Sequence, residues 1–170
     1  MKKTFRYLSI VVLIVVIVGA ALLFTPFGER PLAALFPIGD VETVDFAELK
    51  LTEEANQFLV CPPGFCGAKP HADSPVFDVS VDRLRARWSE VVAAQPRVEL
   101  LVEHGDGWQL NYIQRSARFR FPDTITVRFI STSTSQSTLA IYSRSIYGGS
   151  DFGVNRERIE GWLALLREGP

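Results

Sequence analysis

The second half of the chain alternates between hydrophobic and polar positions in patterns that predict both helices and strands. In the segment 80–96, hydrophobic residues recur every three or four positions, which is the spacing of one helix face. Ser80 is a suitable N-cap for this helix, and Pro96 closes it. The segment 155–168 has the same helical spacing, so a second amphipathic helix is expected at the C-terminal end. Its hydrophobic positions are Ile159, Trp162, Leu163 and Leu166.

Between these two helices, the sequence has segments typical of β-strands. Aromatic and β-branched residues are common in them, and side chains alternate between hydrophobic and polar, although not perfectly. Turn-forming glycine, proline and aspartate residues and a seven-residue polar loop separate them. The predicted strands cover residues 97–104, 108–121, 124–130 and 138–147.

The order of these elements predicts the fold class. Short connections join strands that pair antiparallel, and helices that bracket such a sheet bury their apolar faces against one side of it. We therefore expect an α+β fold: a four-stranded antiparallel sheet with one helix before and one after it, preceded by an N-terminal transmembrane helix.

The transmembrane prediction comes from the N-terminal 27 residues. Residues 7–24 contain one polar side chain, Ser9, and as a helix of about 27 Å they approach the ~30 Å hydrocarbon thickness of a bilayer. Three basic residues precede this run, which indicates a cytoplasmic N-terminus and an extracytoplasmic, periplasmic C-terminal domain held at the inner membrane. A signal peptide cleaved after Val18-Gly19-Ala20 is the alternative.

The rest of the chain divides into two predicted parts. Residues 28–57 are interrupted by prolines and keep no period, so they indicate a juxtamembrane linker with one helical turn near 46–49. Residues 58–170 form the predicted domain. Hydrophobic residues make up 47% of the chain and charged ones 22%, which is a composition that folds.

The charge of the chain argues against nucleic-acid binding. Residues 1–27 hold three basic and no acidic side chains, so that without them the formal net charge changes from −1 to −4. A mildly acidic domain lacks the basic surface that binds nucleic acid.

Two cysteines frame the sequence "CPPGFC". A turn at Pro62-Pro63-Gly64 can bring Cys61 and Cys66 within disulfide distance, and an exported domain favours the oxidised pair. Two alternatives stay open: free thiols, or a metal site that adds His71 and Asp73, although this spacing is not a usual zinc pattern. We predict the disulfide, with no metal and no cofactor.

The C-terminal third carries short motifs with a recognisable spacing. They are Phe121-Pro122-Asp123, Ser143-Arg144-Ser145, Gly148, Ser150-Asp151, Gly153-Val154-Asn155-Arg156 and Arg158. From about residue 119 to residue 162 the chain resembles the family called domain of unknown function 1499. The resemblance implies a protein of the kind found widely in bacterial envelopes and in photosynthetic eukaryotes. It implies no activity.

The polar residues between the last strand and the last helix have two interpretations. As structure, the glycines allow the turn, Ser150 or Asp151 caps the helix, and Arg144 pairs with Asp123 or Asp151. As a site, the arginines and hydroxyls bind a phosphate, a carboxylate or a lipid headgroup. The candidate ligand-binding residues are Arg144, Ser145, Asp151, Asn155, Arg156 and Asp123.

The sequence contains few partners for catalysis, and we name no catalytic residue. It has two histidines and no Gly-x-Ser-x-Gly motif. We expect a membrane-anchored, non-catalytic domain of the cell envelope that binds a small anionic or lipid ligand or scaffolds an envelope protein. The alternative is an envelope hydrolase that uses Asp123, Asp151 and a serine of "YSRS".

Overall fold

The structure, a computed structural model, describes residues 2–24, 33–41 and 43–168. The end of the predicted anchor at 25–27, the start of the predicted linker at 28–32, residue 42 and residues 169–170 lie outside this description. The elements, in chain order, are α1 (Lys2–Phe24), β1 (Gln57–Cys61), β2 (Ala72–Asp73), α2 (Val81–Ala93), β3 (Val98–Glu103), β4 (Gln109–Arg115), β5 (Pro122–Ser131), β6 (Ser137–Ser145) and α3 (Val154–Glu168).

The sheet has six strands in the order β2-β1-β6-β5-β4-β3, so the predicted four-stranded sheet is wrong. The pair β1–β2 is parallel and the other pairs are antiparallel, which makes the sheet mixed. The antiparallel meander β3–β6 and its two flanking helices match the predicted order. The two missed strands are short and flank the "CPPGFC" turn, where proline, glycine and cysteine hide the alternation of side chains.

The transmembrane part of the prediction is also wrong. Within residues 2–24, 33–41 and 43–168, no helix combines the length and the apolar character that crossing a membrane requires. This finding contradicts the predicted single-pass location at the inner membrane with an extracytoplasmic domain. The cleaved signal peptide stays a prediction.

Helices α2 and α3 cover one face of the sheet, which we call the helix face. Leu84, Trp88 and Val92 of α2 are buried in one hydrophobic core, together with residues of α3 and with alternate residues of the strands. The rings of Trp88 and Trp162 are 5.6 Å apart in an edge-to-face arrangement that aromatic pairs favour. Ser80 caps α2 as expected, since its side chain accepts a hydrogen bond from the backbone N–H of Arg83.

The opposite face, which we call the loop face, is covered by irregular chain. Phe46 is buried against Leu59, Ala140 and Tyr142, with other apolar side chains from residues 44–51 and from the cysteine loop around them. Residues 44–51 belong to the segment predicted as a linker, and here they serve as a cover for the sheet. The alternation of side chains along β5 and β6 therefore places one set of residues under α3 and the other under this cover.

Cys61 and Cys66 form a disulfide, which confirms that prediction. The loop that the disulfide closes lies against the loop-face cover, where Phe65 packs 6.3 Å from Phe46, centroid to centroid. Just beyond it, the backbone N–H of Gly67 donates to the carbonyl of Phe46 at 2.9 Å. The cysteine loop thus anchors the irregular segment to β1.

Candidate functional site

The polar residues at the C-terminal corner form a buried network on the helix face. Asp123 on β5 accepts a hydrogen bond from the Arg158 Nη2 atom at 2.5 Å, and both side chains are about nine-tenths buried. Arg158 also donates to the side chains of Gln114, Ser143 and Asn155. Arg158 therefore connects α3 to β4, β5 and β6 through charge-assisted hydrogen bonds.

Asn155 lies at the centre of this network and is fully buried. Its Oδ1 atom accepts from the Ser143 hydroxyl at 2.6 Å and from Arg158 at 2.6 Å. Its Nδ2 atom donates to the carbonyl of Asn56 at 3.0 Å and to the Asp151 carboxylate at 2.6 Å. An amide with both ends engaged fixes the start of α3 against β6 and the chain before β1.

Asp151 caps α3, as the sequence predicted for Ser150 or Asp151. Its two carboxylate oxygens accept from the backbone N–H groups of Gly153 at 2.9 Å and Asn155 at 2.7 Å. A carboxylate at this position satisfies free N–H groups and complements the helix dipole. Phe152, which lies between Asp151 and Gly153, has a φ of 56° and is 95% exposed.

Arg144 does not join the network, and its predicted pairing with Asp123 or Asp151 is wrong. The register pairs Arg144 with Thr124 and Asp123 with Ser145. Directly paired residues share a face and sequence neighbours do not, so Asp123 points to the helix face while Arg144 and Thr124 lie on the loop face. Arg144 is exposed there. Within the described residues it forms no ion pair with a carboxylate.

A second arginine on the loop face shows the contrast. Arg128 is four residues from Thr124 along β5, so it lies on the same face, and its Nη1 atom is 2.6 Å from the Asp106 carboxylate. Arg128 is therefore neutralised by a neighbour in the β3–β4 turn. Arg144 instead lies beside Tyr142, whose hydroxyl donates to the Gln57 side-chain oxygen at 2.7 Å.

Arg144 lines a cavity of about 400 Å³ between the sheet and its irregular cover. The floor comes from β5 and the end of β6, through Thr124, Tyr142, Arg144, Ser145 and Ile146. The opposite walls come from the chain before β1 and from the first residue of β1, through Ile38, Asp40, Val41, Thr52, Glu54, Asn56 and Gln57. A cavity of this volume is in the range of small-molecule sites, about 300–1,000 Å³.

Burial and charge both affect Tyr142 on the cavity floor. Burial raises the pKa of its hydroxyl, and the Arg144 guanidinium partly offsets that rise through its charge and a hydrogen bond. Tyr142 is therefore a neutral hydroxyl at physiological pH. Tyr142, which lies beside Arg144 on the floor, therefore brings no negative charge that would compensate the guanidinium.

The buried network also holds the cavity walls in place. The carbonyl of Asn56 accepts from the backbone N–H of Ser145 at 2.9 Å as well as from Asn155. The Asn56 side chain donates to the carbonyl of Gly148 and, at 3.2 Å, to the Glu54 carboxylate. Positions that line the cavity are thus bonded directly to residues of the C-terminal motif.

The six candidate residues separate into three groups. Arg144 and Ser145 line the cavity, but the Ser145 hydroxyl accepts a hydrogen bond from Asn155 on the helix face. Asp123, Asp151 and Asn155 belong to the buried network beneath the cavity. Arg156 lies elsewhere, over the ring of Phe58 at 4.9 Å. The sequence interpretation missed Thr124, Tyr142 and Gln57. Side chains two positions apart on a strand share a face, so the sequence alone places Tyr142 on the face of Arg144. Thr124 and Gln57 could be placed beside Arg144 only from the pairing of the strands.

The alternative metal site at the cysteine loop is contradicted, because the disulfide removes both thiolates as ligands. His71 has a structural role: its Nδ1 atom accepts from the backbone N–H of Leu59 at 2.9 Å, and its ring stacks on Phe58. Burial, with a smaller contribution from the charge of Arg156, lowers the pKa of His71 from 6.5.

This lowered pKa predicts a pH dependence of stability. The unfolded chain binds a proton at His71 near pH 6.5, whereas the folded chain resists it, so stability falls as pH drops below that value. We expect the urea midpoint of the wild type to decrease as the pH falls below 6.5, and the decrease to be smaller in His71→Gln. Equal decreases in the two proteins would contradict this role of His71.

The fold and the site define an α+β domain whose sheet carries two helices on one face and a polar cavity on the other. Residues 56–166, more than half of the chain, match the family described as protein of unknown function (DUF1499). The chain belongs to the DUF1499 family, which confirms the resemblance of its C-terminal motifs. Comparison with curated proteins and with solved structures found no significant match.

Proposed function

We propose that this protein is a non-catalytic binding domain whose ligand carries an anionic group that Arg144 holds in the loop-face cavity. The observation that carries the proposal is the state of Arg144. It is an exposed guanidinium on the floor of a cavity, and no carboxylate of the described residues neutralises it. The carboxylates expected to do so, Asp123 and Asp151, are bonded to Arg158 and Asn155 instead.

The neighbours of Arg144 suit an anion. Thr124 brings a hydroxyl group to the same floor, and a hydroxyl beside a guanidinium is a common donor to carboxylate and phosphate oxygens. The planar guanidinium can donate two parallel hydrogen bonds to either group. The backbone N–H of Ser145 donates to the Asn56 carbonyl, which also accepts from Asn155 of the buried network. The end of the strand that carries Arg144 is therefore held in position before a ligand arrives.

The same contacts weigh against the hydrolase alternative. Asp123 and Asp151 each accept hydrogen bonds from the network, so neither is a free general base. Ser143 is fully buried and donates its hydroxyl hydrogen to Asn155. A nucleophile needs a base within hydrogen-bond reach and access to substrate, and Ser143 has neither arrangement.

Replacing Arg144 with glutamine is expected to weaken anion binding while the protein stays folded. The wild-type chain is titrated calorimetrically with inorganic phosphate, acetate and phosphoethanolamine. Loss of a charge-assisted pair predicts at least about tenfold weaker binding, or about 1.4 kcal/mol, for whichever anions bind. Thermal unfolding should be nearly unchanged, since Arg144 is exposed.

The matched control is Arg83→Gln, an exposed arginine on α2 at the opposite face of the sheet. This variant should bind as the wild type does. Wild-type affinity in Arg144→Gln, or equal losses in both variants, would contradict the proposal, because the effect would then be nonspecific. A wild type that binds none of the three compounds would contradict it as well.

A further inference from the structure

Two carboxylates share the cavity with Arg144. Asp40 and Glu54 line the walls that face the floor, and both side chains are exposed. The described lining therefore carries one positive and two negative side chains. A ligand that is only anionic would meet Arg144 favourably and the two carboxylates unfavourably.

The separation of these charges follows from the chain. Arg144 lies on β6, whereas Asp40 and Glu54 belong to the irregular chain before β1. Within the described residues, neither carboxylate forms an ion pair with Arg144. The Glu54 carboxylate is held on its wall by the hydrogen bond from the Asn56 side chain. The positive charge thus lies on the floor, and the two negative charges lie on the walls, of one small cavity.

From this arrangement we propose that the ligand is a small zwitterion, with an anionic group at Arg144 and an ammonium group at Asp40 and Glu54. This inference rests on the proposed function and adds the class of ligand. An ammonium group donates three hydrogen bonds and suits two carboxylates better than one. The shared chemistry is a primary ammonium joined by a short chain to a carboxylate or a phosphate.

The cavity volume limits the size of this ligand. About 400 Å³ is near the lower end of the range for small-molecule sites. It admits an amino-acid-sized molecule or a phosphoethanolamine group. An acyl chain would have to remain outside the cavity.

Matched pairs of small probes test the inference on the full chain. β-Alanine is compared with propionate, and phosphoethanolamine with ethyl phosphate, so that each pair differs by the ammonium group. At least one zwitterion is expected to bind about tenfold more tightly than its partner. The pair that shows the effect identifies a carboxylate or a phosphate as the anionic group. Adding vesicles of phosphatidylethanolamine then distinguishes a lipid headgroup, which would retain the protein, from a free zwitterion, which would not.

Variants test whether the preference for a zwitterion depends on Asp40 and Glu54. The double change Asp40→Asn and Glu54→Gln should reduce zwitterion binding to the level of the matched anion. Glu90→Gln, an exposed carboxylate on α2, is the control and should change nothing. Amides keep the size of these side chains and an acceptor for Asn56, so unfolding temperatures should agree among the variants.

Two results would overturn the inference, and they are distinguishable. If the anions bind as tightly as their zwitterions and Arg144→Gln still weakens binding by about tenfold or more, the proposed function stands and the zwitterion is wrong. If Arg144→Gln retains wild-type binding of every probe, or the wild type binds none of them, both proposals fail together.

Discussion

Replacing Arg158 with alanine is expected to lower the free energy of unfolding by about 3–5 kcal/mol. The substitution leaves the Asp123 carboxylate buried without its cation, and it removes hydrogen bonds to Gln114, Ser143 and Asn155. Because a buried unpaired charge costs far more than an exposed one, this loss should be among the largest in the protein. Urea unfolding at neutral pH measures it.

The matched control lies two residues earlier on the same helix. Arg156 has a side chain that is 57% exposed and lies 3.8 Å from Glu160, so Arg156→Ala should cost about 1 kcal/mol or less. The double variant Asp123→Ala and Arg158→Ala should lose less stability than the two single losses added together, because it leaves no unpaired charge. Similar losses in Arg158→Ala and Arg156→Ala would contradict the role given to the buried network.

Gly67→Ala is expected to destabilise the protein by about 3 kcal/mol or more. A Cβ atom on Gly67 would lie 2.0 Å from the carbonyl oxygen of Ala47, and backbone on both sides must move to relieve this contact. The movement would break the hydrogen bond from the Gly67 N–H to Phe46 and lift the cover from Leu59 and Tyr142. Urea or thermal unfolding would show the loss.

Gly105→Ala is the control for this prediction. A Cβ atom there meets no atom within 4 Å, so the substitution should be nearly neutral. If Gly67→Ala were as stable as Gly105→Ala, the close approach between the cysteine loop and residues 46–47 would be wrong. The loop-face cover would then need another explanation.

The regular part of the fold was predictable because each element carries its own signal. The hydrophobic positions of α2 recur at helical spacing, and β5 alternates between polar and hydrophobic residues from Thr124 to Phe129. The strands β1 and β2 were not predictable, since five and two residues next to a proline-glycine turn give too little alternation. The cover at residues 44–51 was missed for a similar reason, because irregular chain has no period to detect.

The sequence identified several residues of the C-terminal motif, but it did not predict how they are arranged in space. The motif residues do lie together, but the sequence paired Asp123 with the wrong arginine. Arg144 and Arg158 are equally polar in the sequence, and the strand register and the helix position decide which of them reaches Asp123. The cavity walls could not be predicted, since Asp40 and Glu54 come from a segment more than 85 positions before Arg144.

Arg144 and Arg158 have different roles in the C-terminal motif. Arg158, Asp123 and Asn155 hold α3 to the sheet, and the same network fixes the backbone beside the cavity. Arg144 contributes little to that structure and faces the cavity from the other side of β6. The helix face therefore supplies stability, and we propose that the loop face binds the ligand.

The most direct test of this division is an NMR titration of the isotope-labelled full chain with phosphoethanolamine. We expect the largest shift changes at the Arg144 side-chain Nε–H and at the backbone amides of Thr124 and Ser145, with small changes around Arg128. Shift changes that centre on Arg128, or that leave Arg144 unaffected while the ligand binds, would contradict it.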